Sequence, residues 1–376
     1  MKDLESWFEP QLAHAATLPA RYYIDPDILV REQESIFGHT WQLIGHLDQV
    51  AQPGDFFTTK LFNEPLLIVR GQDDELRGFY NVCRHRAGPV AVDQGNCQRL
   101  QCRYHGWTYG LDGRVLGMPE FDGVEGCVKT DIGLVPIAVA TWQQLVFISL
   151  MRDIAPLSTF LEPIPDQVAH LPLKRMQLAA RRDYIVGCNW KVYVDNYLEG
   201  YHIPIVHPEL FRALDYSNYR VDTYRYCSSQ HSPINKQSEK NSGCLAQLYY
   251  NNAIEAEAYY YWIFPNLMIN VYPDNYSTNL ILPLDHQRTL TIFEWYYADI
   301  ESEEARTRIA RMIEFSDAVQ QEDISICEAV QRGLRSRSYN RGRYSVKREN
   351  GVHHFHSLLH EFLYKQADTA TLTMQK

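Results

Sequence analysis

No stretch of this sequence approaches the length and apolarity needed to cross a bilayer. The best candidate, Leu134 to Met151, is interrupted by Pro136, Thr141, Gln143 and Gln144 and reads instead as two buried strands. Basic charge is short as well. Lys and Arg number 36 against 46 Asp and Glu, a formal net charge of −10. That balance leaves no electrostatic footprint for nucleic acid and disfavours an anionic membrane surface. Cysteine is sparse, eight in 376 residues, without the spacing of a disulfide framework, so reduced thiols in a cytoplasmic protein are expected. Residues 1–23 lack a basic segment followed by an apolar run, and no signal peptide is expected there. Internal repeats and low-complexity tracts are missing too. So is the G-x-G-x-x-G fingerprint, which means that any nicotinamide nucleotide would bind a separate protein.

What the chain does have is rings: 25 Tyr, 15 Phe and 7 Trp within a 45% hydrophobic composition. This is a folded chain with material for two domains. Residues 1–40 contain a helix over 27–38 and are expected to pack on the carboxy-terminal part. Residues 41–155 change to short strands between Gly, Pro and Asp turns, among them a hairpin turn at Leu111-Asp112-Gly113. This reads as an all-β module. A proline-rich stretch from Pro156 to Pro172 marks the boundary. Residues 156–376 combine a strand at 178–186, a helix from Trp190, Tyr-rich strands between 215 and 298, and a long helix from Ser302 to Leu334. The fold class is α+β, an amino-terminal all-β domain followed by an antiparallel sheet with helices.

The sharpest signal is Cys83-Arg84-His85, sixteen residues, then Cys102-Arg103-Tyr104-His105. Each half offers one thiolate and one imidazole. A Rieske [2Fe–2S] cluster needs two Cys on one iron and two His on the other. Two short loops, each carrying one of each, supply that set, with Trp107 as a lid. Structural zinc sites more often pair Cys with Cys and His with His over longer spacers. Cys97, between the two halves, reads as an ordinary thiol.

Such a cluster passes single electrons and needs an acceptor. His202 and His207 lie five apart, and on a continuous helix they would point in different directions. Gly200, Pro204 and Pro208 break the helix there, so the two imidazoles can converge. Two His with one carboxylate form the facial triad of non-haem Fe(II) oxygenases. The long helix offers adjacent candidates for the acid. Asp323 shares a face with Val319, Ile326 and Val330, and Glu322 with Ala318 and Ile326, so periodicity leaves both open. Without the cluster motif, His202 and His207 could equally be buried structural histidines.

The pattern C-x-H-x16-C-x2-H, then N-W-K-x4-N-Y-x4-H-x4-H and E-D-x3-C-E-x-V-Q-R-G-L, resembles the Rieske oxygenase alpha-subunit family from about residue 30 onward. The tail, with Gly342-Arg343-Tyr344 and Gly351-Val352-His353-His354-Phe355-His356, is most similar to the choline and carnitine monooxygenase branch. The resemblance implies that Asp323, not Glu322, completes a mononuclear iron site with His202 and His207. It implies that Glu199 is an acidic bridge facing His105 of another subunit in a head-to-tail homotrimer. It further implies that a flavin and iron–sulfur reductase, or a ferredoxin, delivers NAD(P)H electrons for O2 activation. Arg103 and the run His85-Arg86-Ala87-Gly88-Pro89-Val90 depart from the usual pattern without removing a ligand.

A quaternary ammonium substrate would be held by aromatic faces. Tyr197, Tyr260, Trp262 and Tyr272 are the candidates, with β-sheet core as their alternative role. Two other readings differ in class. One is an aromatic-ring dioxygenase or O-demethylase, which would take aromatic acids. The other is a Rieske electron carrier without catalysis, which would hold no mononuclear iron.

Overall fold

Four consecutive apolar residues, Leu66-Leu67-Ile68-Val69, sit in one strand, and all four are fully buried. Alternate side chains of a strand point to opposite faces, so both faces of this sheet must be covered. Leu67 and Val69 join Phe79, Leu100, Tyr109 and Leu134 in one core, and Leu66 and Ile68 join Phe57, Ile137, Val146 and Ile148 in another. The computed structural model describes residues 7–232, 258–272 and 274–365. The chain folds into two units, one Phe37–Leu157, the other Met1–Ile36 together with Ser158–Lys376.

The Phe37–Leu157 unit is all-β. Its strands are β1 (Gln42–His46), β2 (Asp55–Leu61), β3 (Glu64–Arg70), β4 (Leu76–Tyr80) and β5 (Gln94–Asn96). There follow β6 (Leu100–Gln101), β7 (Thr108–Tyr109), β8 (Val115–Gly117), β9 (Pro136–Trp142) and β10 (Leu145–Ser149). They form a seven-stranded sheet in the order β1-β10-β9-β4-β3-β2-β5 and a three-stranded sheet β6-β7-β8. The turn at residues 111–113 joins β7 to β8, closed by Gly113 N–H donating to Gly110 O at 3.0 Å. Gly113 has φ +83°, and a Cβ there would meet the Phe79 ring at 2.5 Å, so the position needs glycine.

The other unit is built on β11 (Gln177–Val186), β12 (Arg220–Thr223), β13 (Cys227–Ser232), β14 (Ala258–Ile263), β15 (Leu267–Val271), β16 (Asn275–Pro283) and β17 (Thr289–Tyr297). They run antiparallel in the order β11-β17-β16-β15-β14-β13-β12. Part of the Tyr-rich stretch expected between 215 and 298 falls on residues outside those described. Helix α1 (Pro26–Ser35) is capped by the Asp25 side chain and stops short of the expected residue 38, giving way to a 3-10 turn at Phe37–His39 that contains Gly38. Helix α2 (Trp190–Tyr197) is capped by Asn189. Helix α3 (Glu303–Gly333) runs 31 residues from a Ser302 cap, and α4 (Asn350–His360) follows.

A buried ion pair stitches α1 to α2. Lys191 Nζ lies 2.7 Å from Glu32 Oε1, both side chains fully buried, and Trp190 donates its indole N–H to Glu32 Oε2 at 2.8 Å. Burial pushes the Glu32 carboxyl up and the Lys191 ammonium down, each partner opposing that shift in the other. Gln331 of α3 accepts the Asn189 N–H at 2.8 Å, which fixes where α2 begins. Among the described residues no helix is long and apolar enough to cross a membrane.

Candidate metal centres and substrate cavity

Two tight loops bring Cys83, His85, Cys102 and His105 together. In the first, Cys83 N–H donates to Gly88 O and Ala87 N–H returns to Cys83 O, at 2.8 and 3.0 Å. In the second, Cys102 N–H donates to Trp107 O and Gly106 N–H to Cys102 O, both at 2.9 Å. The His85 and His105 rings lie 4.6 Å apart, and Trp107 stacks on His85 at 5.1 Å with 5° between planes. Tyr109 accepts the Arg84 N–H at 3.0 Å and puts its hydroxyl 3.2 Å from Cys83 Sγ. Both cysteines are buried.

This donor set suits a binuclear cluster. Burial and the neighbouring Cys83 thiol push the Cys102 thiol up, so two thiolates here require positive charge between them. Partial desolvation, with His85 and Arg86 nearby, holds the His105 imidazole below its usual value, favouring the neutral form that ligates. A Cβ at Gly88 would stand 2.9 Å from Cys102 Sγ, in the space beside the sulfurs.

The second constellation lies where α2 breaks. A Cβ at Gly200 would meet the Tyr219 ring at 2.6 Å, so this bend passes only with glycine. The chain then makes a single turn, Ile203–Val206, and restarts at Pro208–Ala213. His202 precedes the first of these and His207 separates the two. Their rings approach to 5.1 Å. One ligand atom from each of His202, His207 and Asp323 lies within 4.8 Å of the others. His207 Nε2 is 3.0 Å and His202 Nε2 3.8 Å from Asp323 Oδ1.

Each imidazole meets a glutamate on its other nitrogen. His202 Nδ1 is 2.6 Å from Glu199 Oε1, and His207 Nδ1 is 2.6 Å from Glu322 Oε2. Carboxylates so placed fix the tautomer that leaves Nε2 free for a metal. Burial works against charge on His207, but Asp323 and Glu322 outweigh it and raise its pKa. Glu199 also accepts backbone N–H groups from Tyr201 and His202. Sequence reasoning missed the Glu322 contact, because helical periodicity separates faces but does not say which of two neighbours reaches which nitrogen.

A cavity of about 160 Å³ opens on these side chains. Its wall carries Tyr193, Tyr197, Tyr219, Tyr260, Tyr272 and Phe293, with Glu199 and Asp323 as the acids. Tyr260 and Tyr272 meet edge to face at 6.0 Å. Of the four expected rings, Tyr197, Tyr260 and Tyr272 line this space, and Trp262 is the correction. It shares a strand face with Tyr260, but two residues along β14 is roughly 7 Å. There it packs on Phe264 and on Phe355 of α4 and donates its N–H to Pro265 O at 3.1 Å. Tyr193 was legible four residues before Tyr197 on one helical face. Phe293 depends on strand pairing and Tyr219 on the turn that leads into β12, and neither carries a local signal.

The face of α3 expected to be inward is only partly so. Val319 lines the cavity, whereas Ile326 and Val330 are exposed at 36% and 44% and border a second cavity of about 270 Å³. Asn196, Glu199 and His202 line both cavities. Below them Asp195 binds Tyr23 Oη at 2.6 Å and His356 Nε2 at 3.0 Å, and His356 Nδ1 meets Tyr344 Oη at 2.6 Å.

Residues 173–365 match the ring hydroxylating alpha subunit (catalytic domain) model and residues 40–131 the Rieske [2Fe–2S] domain model. The chain is 33% identical over 373 residues to a chloroplastic choline monooxygenase of Arabidopsis thaliana, covering 95% of this chain and 85% of that one. It is 29% identical to the carnitine monooxygenase oxygenase subunit of Escherichia coli K12, covering 92% and 93%. Among solved structures, a quaternary ammonium Rieske monooxygenase described for carnitine oxidation and inter-subunit electron transfer superposes with a TM-score of 0.79. That protein is 28% identical, with 93% and 95% of the two chains covered.

Proposed function

The chain belongs to the Rieske oxygenase alpha-subunit family, and from that premise we propose that it oxidises a small quaternary ammonium compound with O2. The observation that carries the substrate reading is the cavity itself: six aromatic rings and the Glu199 carboxyl around one space beside His202, His207 and Asp323, the three residues assigned to the iron. Aromatic faces and acids attract a cation that has no N–H to donate. Relatives that act on choline and carnitine support the same choice.

Cys83, His85, Cys102 and His105 would hold the [2Fe–2S] cluster, and His202, His207 and Asp323 a mononuclear Fe(II). Bound there, the two centres supply one-electron transfer and O2 activation. Around them the chain's own groups do the arranging. Tyr109 and the Trp107 ring brace the cluster loops, and Glu199 and Glu322 hold the two imidazoles from behind. We assign Glu199 the bridge to His105 of a neighbouring copy in a homotrimer, supported by its contact with His202 and by the inter-subunit transfer described for the structural relative. Electrons from NAD(P)H would arrive through a separate reductase.

The test is substrate-stimulated oxygen uptake by the iron-loaded protein with a compatible reductase, across choline, glycine betaine, carnitine and several aromatic carboxylates. Coupled uptake with an ammonium compound is expected. Uptake with aromatic acids alone would overturn the substrate reading.

A further inference from the structure

Five amide side chains line the cavity, and four of them are already engaged: Asn196, Gln230, Asn270 and Gln320. Asn196 Nδ2 donates to Asp323 Oδ1 at 2.6 Å. Gln230 donates to Tyr197 O at 2.6 Å and accepts the Tyr219 hydroxyl. Asn270 accepts the Tyr197 hydroxyl at 2.7 Å and donates to Ser277 Oγ at 3.1 Å. Gln320 accepts the Tyr193 hydroxyl at 2.5 Å and donates to Thr291 Oγ1 at 3.2 Å. The fifth is Asn279, on β16 opposite Phe293 of β17. It is 6% exposed, and its Oδ1 is buried with no hydrogen-bond partner among the described residues. A buried carbonyl oxygen without a donor is costly and in a native fold calls for an explanation.

We infer that Asn279 Oδ1 takes a hydrogen bond from an uncharged hydroxyl of the substrate, so that the cavity selects a quaternary ammonium alcohol over its carboxylated counterpart. The inference rests on the quaternary ammonium reading above. An acceptor requires an O–H or N–H. A trimethylammonium head has neither, and an ionised carboxylate only accepts. Of the two carboxyl side chains among the described lining residues, Asp323 is assigned to the iron, and Glu199 is left as the acid on the cavity wall that suits a cation better than a second anion. Three of the engaged amides, Gln230, Asn270 and Gln320, hold tyrosines in place and Asn196 holds Asp323, which leaves Asn279 to read the far end of the ligand.

The experiment is calorimetric binding of choline, tetramethylammonium and glycine betaine to the iron-loaded protein. Wild type should bind choline tighter than the other two. Asn279→Leu should weaken choline about tenfold, the scale of one hydrogen bond, and leave tetramethylammonium within about twofold. Asn279→Ser, which keeps an acceptor, should retain most of the choline affinity. Equal losses for choline and tetramethylammonium in both Asn279→Leu and the smaller Asn279→Ala would make the residue structural and overturn the inference. Unchanged choline affinity, or tighter binding of glycine betaine by wild type, would overturn it as well. Failure of wild type to bind any of the three would instead bring down the quaternary ammonium reading, and this inference with it.

Discussion

Glu322 reaches Nδ1 of His207 at 2.6 Å while its neighbour Asp323 faces Nε2 of the same ring at 3.0 Å. Adjacent residues on α3 thus address both nitrogens of one imidazole, and only one of them faces the metal position. The histidine is 2% exposed and the Glu322 side chain 43%, so the contact is made from the solvent side. Glu322→Ala should lower iron retention about tenfold to a hundredfold under chelator challenge, the usual scale for losing such a partner. The Rieske visible absorption should not change. Full iron retention would reduce the contact to a surface ion pair of little consequence.

Asp323→Ala and His207→Ala should abolish turnover and mononuclear iron while the cluster spectrum persists. The cluster loops and these residues lie in different units of the chain. Parallel metal analysis and absorption spectra check this, and loss of the cluster signal would contradict two independent sites.

Glu199→Gln, which keeps an acceptor for His202 Nδ1, should keep both metals yet stop turnover by interrupting electron delivery. Stopped-flow reoxidation of the reduced cluster reads this directly. A wild-type rate in the variant would remove Glu199 from the route and leave it only its hold on His202.

Lys191→Met should destabilise the fold by about 3–5 kcal/mol, since it strands the Glu32 carboxylate in a fully buried site. Adding Glu32→Leu should recover most of that loss in chemical denaturation. A double variant no better than the single would mean that packing, not the stranded charge, dominates.

Burial holds the His354 imidazole at a pKa of about 4, against about 6.5 in an unfolded chain. The folded pKa is the lower one, so the unfolded state binds protons more readily between these values. Stability is therefore complete above about pH 6.5 and declines as pH falls toward 4. The contribution lost between pH 7 and pH 5 is about 2 kcal/mol. His354→Phe should flatten the pH dependence of unfolding by that amount, and an unchanged slope would place its origin elsewhere.

The ligand motifs were legible in sequence because metal chemistry dictates residue type and short spacing. Cys83 and His85 need only a tight loop, and His202 and His207 only a broken helix. The all-β and α+β character followed from strand periodicity and turn residues. What could not be read is what depends on pairing between separate elements. Trp262 obeyed strand alternation with Tyr260 and still left the cavity, because α4 covers it. Asn279 gains meaning only from its place opposite Phe293 on the neighbouring strand. The engagement of His356 with Asp195 likewise joins segments 161 residues apart.

Helix α2 is eight residues long and serves three surroundings at once. Lys191 turns to Glu32, Asp195 to Tyr23 and His356, and Tyr193, Asn196 and Tyr197 to the cavity. One residue inserted between Asn189 and Tyr197 would rotate everything after it by about 100°. The aromatic wall would swing toward the charged network, and both histidines would be carried out of phase with Asp323. Changes of length in descendants of this sequence should therefore gather in exposed turns such as residues 122–126, where a Cβ at Gly123 or Gly126 meets nothing, and this short helix should keep its count of residues even where its identities drift.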